Sequence, residues 1–142
     1  MLRKSAALGN EGEAVAAGYL AERGMRILER NWRNGRDEID IICEEPDRVS
    51  SFSGGRPTLV FVEVKTRTSP DLERASSALD RRKISALVRA ARRYIGSRGE
   101  WDRACRFDLI CVNGEDRRVE HIKDVIDVGN IDFGGNTSWQ PW

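Results

Sequence analysis

The sequence predicts a mixed α/β domain, a sheet flanked by helices. Three observations carry this expectation. Apolar residues recur at helical spacing in two segments, 10–23 and 74–95. Five shorter runs, rich in Val, Ile and Phe, have the alternation or continuous apolar character of strands. Their order is helix, three strands, helix, then a strand pair around Asn113-Gly114, a hairpin signal.

Taken along the chain, the first helix is expected from Asn10 to Arg23, with Asn10 as N-cap, Glu13 completing a capping box and Gly24 as the stop. Ile27 to Trp32 reads as a first strand, and Asn34-Gly35 as a turn. Glu38 to Cys43 reads as a second strand, with Ile39, Ile41 and Cys43 on one face and Glu38, Asp40 and Ile42 on the other. Pro46 to Pro57 is rich in Ser and Gly and is expected as a long loop. Leu59 to Arg67 is the most apolar strand, and Thr68 to Asp71 breaks it. A second helix is expected from Arg74 to Ile95, buried along Ile84, Leu87, Val88, Ala91 and Ile95 and ended by Gly96 and Gly99. Ala104 to Val112 and Val119 to Val125 complete the sheet. The reading is one domain over residues 1–128, with a loose Gly- and Asn-rich tail over 129–142, where Trp139 and Trp142 offer docking groups.

Composition narrows the function classes. With 39% hydrophobic and 33% charged residues, the chain suits a globular protein with a polar surface. Net charge is only +1, so any surface for a polyanion has to be a local patch. The three cysteines form no C-x-x-C pair, and Cys43 and Cys111 sit in apolar runs, which suits a reducing cytoplasm. The N-terminus lacks the apolar region of a signal peptide, and no stretch is long enough to cross a bilayer, so a cytoplasmic location without membrane association is expected. His121 is the only histidine, which removes histidine-based nuclease sites and His-containing zinc deaminases; it is expected to pack at a strand edge. Ser53-Gly54-Gly55-Arg56 lacks the Gly-Lys-Ser/Thr ending of a phosphate loop.

The chemistry-bearing residues are Asp40, Glu63 and Lys65. Glu63 and Lys65 are two apart on a strand and share a face, about 7 Å apart. Both flank Val64 in the most apolar strand, where a charge is costly unless it is paired or bound to a metal. Asp40 stands in the same situation between Ile39 and Ile41, and pairing of the two strands brings it beside the others. For any one such pair an internal ion pair is the ordinary outcome. Three charges converging on one apolar sheet favour a site. Two carboxylates and a lysine suit phosphodiester hydrolysis. Asp40 and Glu63, with the Val64 carbonyl, are candidate ligands for a hard cation such as Mg2+, with Mn2+ as a substitute, and Lys65 is the candidate for orienting water or balancing charge.

Basic residues surround these motifs. Arg33, Arg36 and Arg67 lie close to them in sequence and are the candidates for phosphate contacts. The second helix carries Arg74, Arg81, Arg82, Lys83, Arg89, Arg92 and Arg93, with Asp80 as its main acid. Arg82, Arg89 and Arg93 are expected opposite its apolar face, either as a phosphate-binding or as a plain solvated surface. Trp32 is expected to be buried, with base stacking as the alternative.

Taken together, Asp40 followed by Glu63-Val64-Lys65 resembles the PD-(D/E)XK motif of restriction enzymes, junction resolvases and repair nucleases. More narrowly, the chain is similar to the YraN family of bacterial endonuclease-like proteins. The likeness runs through Gly9-x-x-Gly12-Glu13, Asn31-Trp32-Arg33, Glu38-Ile39-Asp40-Ile41-Ile42, Val60 to Lys65 with Arg67, Lys83 with Tyr94-Ile95, and Arg106-Phe107-Asp108-Leu109, covering about residues 8–127. The resemblance implies a restriction-endonuclease-like core, with Asp40, Glu63 and Lys65 catalytic. It adds Glu13 as a further acidic catalytic and metal-binding residue, and Lys83 as a site-facing residue that also contacts nucleic acid. The family usually has Gly where this chain has Asp37, which puts the turn and the metal shell in question.

The function expected is a Mg2+-dependent endonuclease acting on nucleic acid, chiefly branched or otherwise structured DNA in repair or recombination. Cutting a duplex or junction needs two sites, which a homodimer supplies. Two rival readings stand beside it: a non-catalytic nucleic-acid-binding module that keeps the fold, and a structural protein whose charges form an internal network.

Overall fold

The computed structural model describes residues 2–46, 56–67 and 79–127. The elements are α1 (Leu2–Glu22), β1 (Arg26–Asn34), β2 (Asp37–Glu45), β3 (Thr58–Arg67), α2 (Arg81–Arg98), β4 (Cys105–Asn113) and β5 (Val119–Ile122). The five strands form one mixed sheet in the order β1-β2-β3-β4-β5. Only β3 and β4 are parallel, so the chain must cross over between them, and α2 lies in that crossover.

β3 lies at the centre of the sheet, and this explains its composition. Leu59, Val60, Phe61 and Val62 are all buried because helices cover both faces. On one face, Ala16 and Leu20 of α1 pack over Ile41, Cys43, Val60, Val62, Ile110 and Val112. On the other, Leu87, Val88, Ala91, Tyr94 and Ile95 of α2 pack over Ile39, Ile42, Leu59, Phe61, Phe107 and Leu109. The aromatic rings within this second layer meet edge-on or tilted, Tyr94 with Trp32 and Phe61, and Phe61 with Phe107. The expected fold class is the observed one: a mixed sheet between two helical layers, the arrangement of a restriction-endonuclease-like core.

Expectations about four elements need correction. α1 begins at Leu2, so Asn10 is inside the helix and forms no cap, and Glu13 is not the third residue of a capping box. Ala-rich sequence on both sides of Asn10 lets the helix run through it. α2 begins at Arg81. Asp80, read as an internal acid, is its N-cap: its backbone is extended and its side chain accepts the Lys83 N–H at 2.8 Å. Gly96 is helical, and Gly99, left-handed at φ 63°, closes the helix. In β2 the strict alternation fails: Ile39 and Ile42 face α2, whereas Ile41 and Cys43 face α1. β5 ends at Ile122, short of Val125. Most of the Pro46–Pro57 loop, the break after Arg67, Arg74 and the tail from Gly129 lie outside the described residues.

Candidate functional site at the fork between two strands

The irregularity in β2 opens the site. β2 and β3 pair from Glu45↔Thr58 to Ile41↔Val62, where the ladder stops. The next opposed positions are Asp40 and Glu63. Instead of a main-chain bond, the Asp40 carboxylate accepts the N–H of Val64 at 2.8 Å. From Glu63 to Arg67, β3 continues paired with β4 alone. The strands therefore fork, and the β2-facing edge of this half of β3 is left for side chains.

Both helices reach into the fork. α2 brings Lys83, whose Nζ is 3.2 Å from Glu63 Oε1, and Lys65 Nζ approaches the same oxygen at 3.2 Å. The Glu63 side chain is 5% exposed, against 24% for Lys65 and 31% for Lys83, so solvent reaches the lysines and much less of the carboxylate. α1 approaches closely through Gly12: a methyl group there would collide with Thr66 Oγ1 of β3. That notch brings the neighbouring Glu13 down toward the fork. Glu13 Oε2 is buried without a hydrogen-bond partner among the described residues.

The electrostatics reflect crowding of negative charge. Burial pushes the Asp40 carboxyl up to about 7, with Glu63 and then Glu13 adding repulsion, while the Val64 N–H and Lys83 pull the other way. Burial opposes the charge on Lys83, but Glu63 and Asp40 outweigh it and hold the ammonium above the usual lysine range. The expected core of Asp40, Glu63, Lys65, Lys83 and Glu13 thus gathers at one locality. Among the described residues no three His, Cys, Asp or Glu side chains are close enough together to form a ready metal cluster. The donors that fit a hard cation are the carboxylates of Asp40 and Glu63. Glu13 is near enough to repel Asp40 and so adds negative charge beside that donor pair.

Other candidates divide. Arg33 is exposed and lies 3.4 Å from Glu38. Arg36 is exposed and lines a groove with residues of α2. Arg67 is half-buried at the end of β3. Trp32 is half-buried against Tyr94 and is a packing residue. Asp37 does not join the fork. It is buried and held by Arg89 through two hydrogen bonds of 2.9 and 2.8 Å, which keep its carboxyl below the ordinary range. Arg89 and Arg93 lie on the exposed side of α2 as expected and are also tied to the strands: Arg93 bonds Asn34 at 3.0 Å and lies 3.9 Å from Asp37.

A second charged network spans β2, β4 and β5. Asp108 accepts from Arg106 at 2.8 and 3.0 Å, from the Asp124 N–H at 3.0 Å, and meets His121 Nε2 at 2.8 Å. Arg106 also grips Glu45 at 2.9 and 3.0 Å. Asp108 thus has an arginine partner, and His121 sits on the edge strand β5, as expected, with its side chain only 5% exposed. All three cysteines are free thiols, pushed up to about 12 at Cys43 and Cys105 and about 11 at Cys111 by burial. Among the described residues no helix is long and apolar enough to cross a membrane.

Comparison with known proteins agrees with the resemblance. The chain is 47% identical over 138 residues to a UPF0102 protein of Nitratidesulfovibrio vulgaris strain DP4, covering 96% of each. It is 39% identical over 141 residues to one of Lawsonia intracellularis, covering 98% of this chain and 99% of that one. A UPF0102 protein of Moorella thermoacetica is 42% identical over 104 residues, covering 73% of this chain and 78% of the relative. Residues 12–112, the span from the Gly12 notch through β4, match the sequence model of the family described as "Uncharacterised protein family UPF0102", and the chain therefore belongs to UPF0102, the YraN family.

Proposed function

We propose that this protein is a metal-dependent endonuclease hydrolysing phosphodiester bonds in nucleic acid, with branched or otherwise structured DNA as its preferred substrate. The observation that carries the reading is the convergence of Asp40, Glu63 and Lys65 at the open end of the β2–β3 ladder, with Lys83 and Glu13 delivered from opposite helices. Asp40, Glu63 and the Val64 carbonyl would hold Mg2+ or Mn2+, with Glu13 beside them. When bound, such a cation polarises a phosphoryl oxygen and lowers the pKa of a water. Lys65 and Lys83 balance the charge of Glu63, and Lys65, which stands on the same strand as Glu63, can turn toward a phosphoryl oxygen or orient the attacking water. Arg33, Arg36 and Arg67, close in sequence to the fork residues, would serve as phosphate contacts. A homodimer would supply the second site that cutting both strands requires.

A second reading has its own support. Glu63 already has two lysine partners, and no three-ligand cluster is preformed among the described residues. Both suit a nucleic-acid-binding module that keeps the fold without cutting. Incubation with linear and branched DNA and RNA in Mg2+ or Mn2+ separates the two. Cleavage that disappears in Lys65→Ala and Asp40→Asn supports the nuclease. Cleavage that survives in both variants places the activity elsewhere, and salt-dependent binding without any cleavage selects the module.

A further inference from the structure

The outer side of α2 carries a basic groove outside the fork. Arg36, Arg81, Arg82, Ser85, Ala86 and Arg89 line an open groove of about 610 Å³. Arg89 is shared with a second hollow of about 300 Å³, bounded by Arg92, Arg93 and Trp101. The two hollows adjoin at Arg89 and together form a path along the helix, about 16 Å from Arg82 to Arg93. Arg81 and Arg82 are exposed and form no ion pair among the described residues. The chain's net charge is +1, so this concentration of arginine is local. The path begins next to Lys83, which touches Glu63, and ends at Trp101, the one exposed large hydrophobic among the described residues, 44% exposed. Trp101 is seated: Gly96 has no side chain, and a methyl group there would stand 3.2 Å from the indole ring.

We propose that this path binds a single-stranded nucleic-acid segment running from the fork along α2, with phosphates on Arg36, Arg81 and Arg82 and a base stacked on Trp101. Arginines along a groove follow a phosphate backbone without reading sequence, and an indole 44% exposed keeps ring surface that an unpaired base can reach. A duplex buries its base faces and leaves Trp101 unused. An acidic peptide matches the arginines but gives no reason for a seated aromatic ring at the end. The path names the substrate segment for the proposed nuclease and rests on that reading only for its direction, because binding does not require cutting.

The test is fluorescence anisotropy with labelled poly-dT in EDTA, where hydrolysis cannot interfere. The parent protein should bind. The double variant Arg81→Ala/Arg82→Ala should lose at least tenfold in affinity, and the slope of log affinity on log salt should fall by about 1.4, about 0.7 for each lost phosphate contact. Trp101→Ala should lose about tenfold and remove the fluorescence quenching caused by stacking, while Trp101→Phe should retain most binding. Circular dichroism melts report folding, and the arginine pair and Trp101→Phe decide the matter if Trp101→Ala is unstable. Unchanged binding in the arginine and tryptophan variants overturns the proposal, as does a parent that binds duplex only or no DNA. Cleavage in Mg2+ that persists while those variants bind normally removes the path alone. Binding that depends on the path without any cleavage removes the nuclease reading alone.

Discussion

The Asp40 carboxylate and the Val64 amide, 2.8 Å apart, join β2 and β3 at the point where their main-chain ladder has ended. One side chain does two jobs there. It satisfies a strand amide that would otherwise lack a partner, and it holds a negative charge beside Glu63 and Glu13.

That second job sets a pH dependence. In the unfolded chain Asp40 titrates near 4 and in the folded chain at about 7. Between those values the folded state holds the extra proton, so this residue's contribution makes stability fall as pH rises through the window and level off above it. Metal-free protein should therefore melt at a higher temperature at pH 5.5 than at pH 8. Asp40→Asn, which keeps an acceptor for Val64 and discards the charge, should flatten that difference. An equal pH response in the variant would assign it to another group.

Removing Lys83 leaves Glu63 with Lys65 alone. Lys83→Met should lower stability by about 1–3 kcal/mol, since a buried carboxylate loses a charged donor while one remains. Urea unfolding measures the loss. The double variant Lys65→Met/Lys83→Met should cost more than the sum of the singles, because only there is the carboxylate left without any cation.

Two glycines of α1 should respond oppositely to alanine. Gly18 has open space where a side chain would grow, so Gly18→Ala should stabilise by about 0.5–1 kcal/mol through helix propensity. Gly12→Ala runs into Thr66 Oγ1 and should destabilise by about 1–3 kcal/mol despite the same propensity gain. Thr66→Ala, placed in the Gly12→Ala background, should recover most of that. Denaturation midpoints that move the same way for both glycines would rule out the tight helix–strand contact.

Asp37→Gly installs the residue that the family resemblance leads one to expect. It removes the pair with Arg89, which is 45% exposed and therefore screened, so a loss of about 1 kcal/mol is expected. The folded Asp37 carboxyl titrates below its unfolded value, so its stabilisation is full above about pH 4 and disappears as pH falls through the folded value. Acid unfolding of the variant should lack that component. Because Asp37 points at α2 and not into the fork, any activity at neutral pH should be retained.

How much of this was legible in the sequence follows from the range of each interaction. Leu59 to Val62 announced a central strand because burial on both faces writes itself into consecutive residues. Glu63 and Lys65 could be placed on one face by the strand period, and Asp40 was suspect for its apolar neighbours. Lys83 and Glu13 came only through family likeness, since no local pattern links a helix residue to a strand many positions away. The Asn10 cap failed because a capping signature competes with helix-forming sequence on both sides, and a sequence window cannot tell which prevails. The partner of Asp37 was hidden for a related reason. Arg89 falls on the solvent side of α2, and only the packing of that helix on the sheet shows that its guanidinium reaches the start of β2.

The one-sided pairing of β3 beyond Val62 has a further consequence. A strand with a bare edge invites another chain to add to it, the first step of aggregation. Here the strand carries Lys65 and Arg67, both half-buried, whose charges an incoming strand would have to strip of water. These charges guard the edge against intruding strands, so neutralising them wholesale would yield a protein harder to keep in solution.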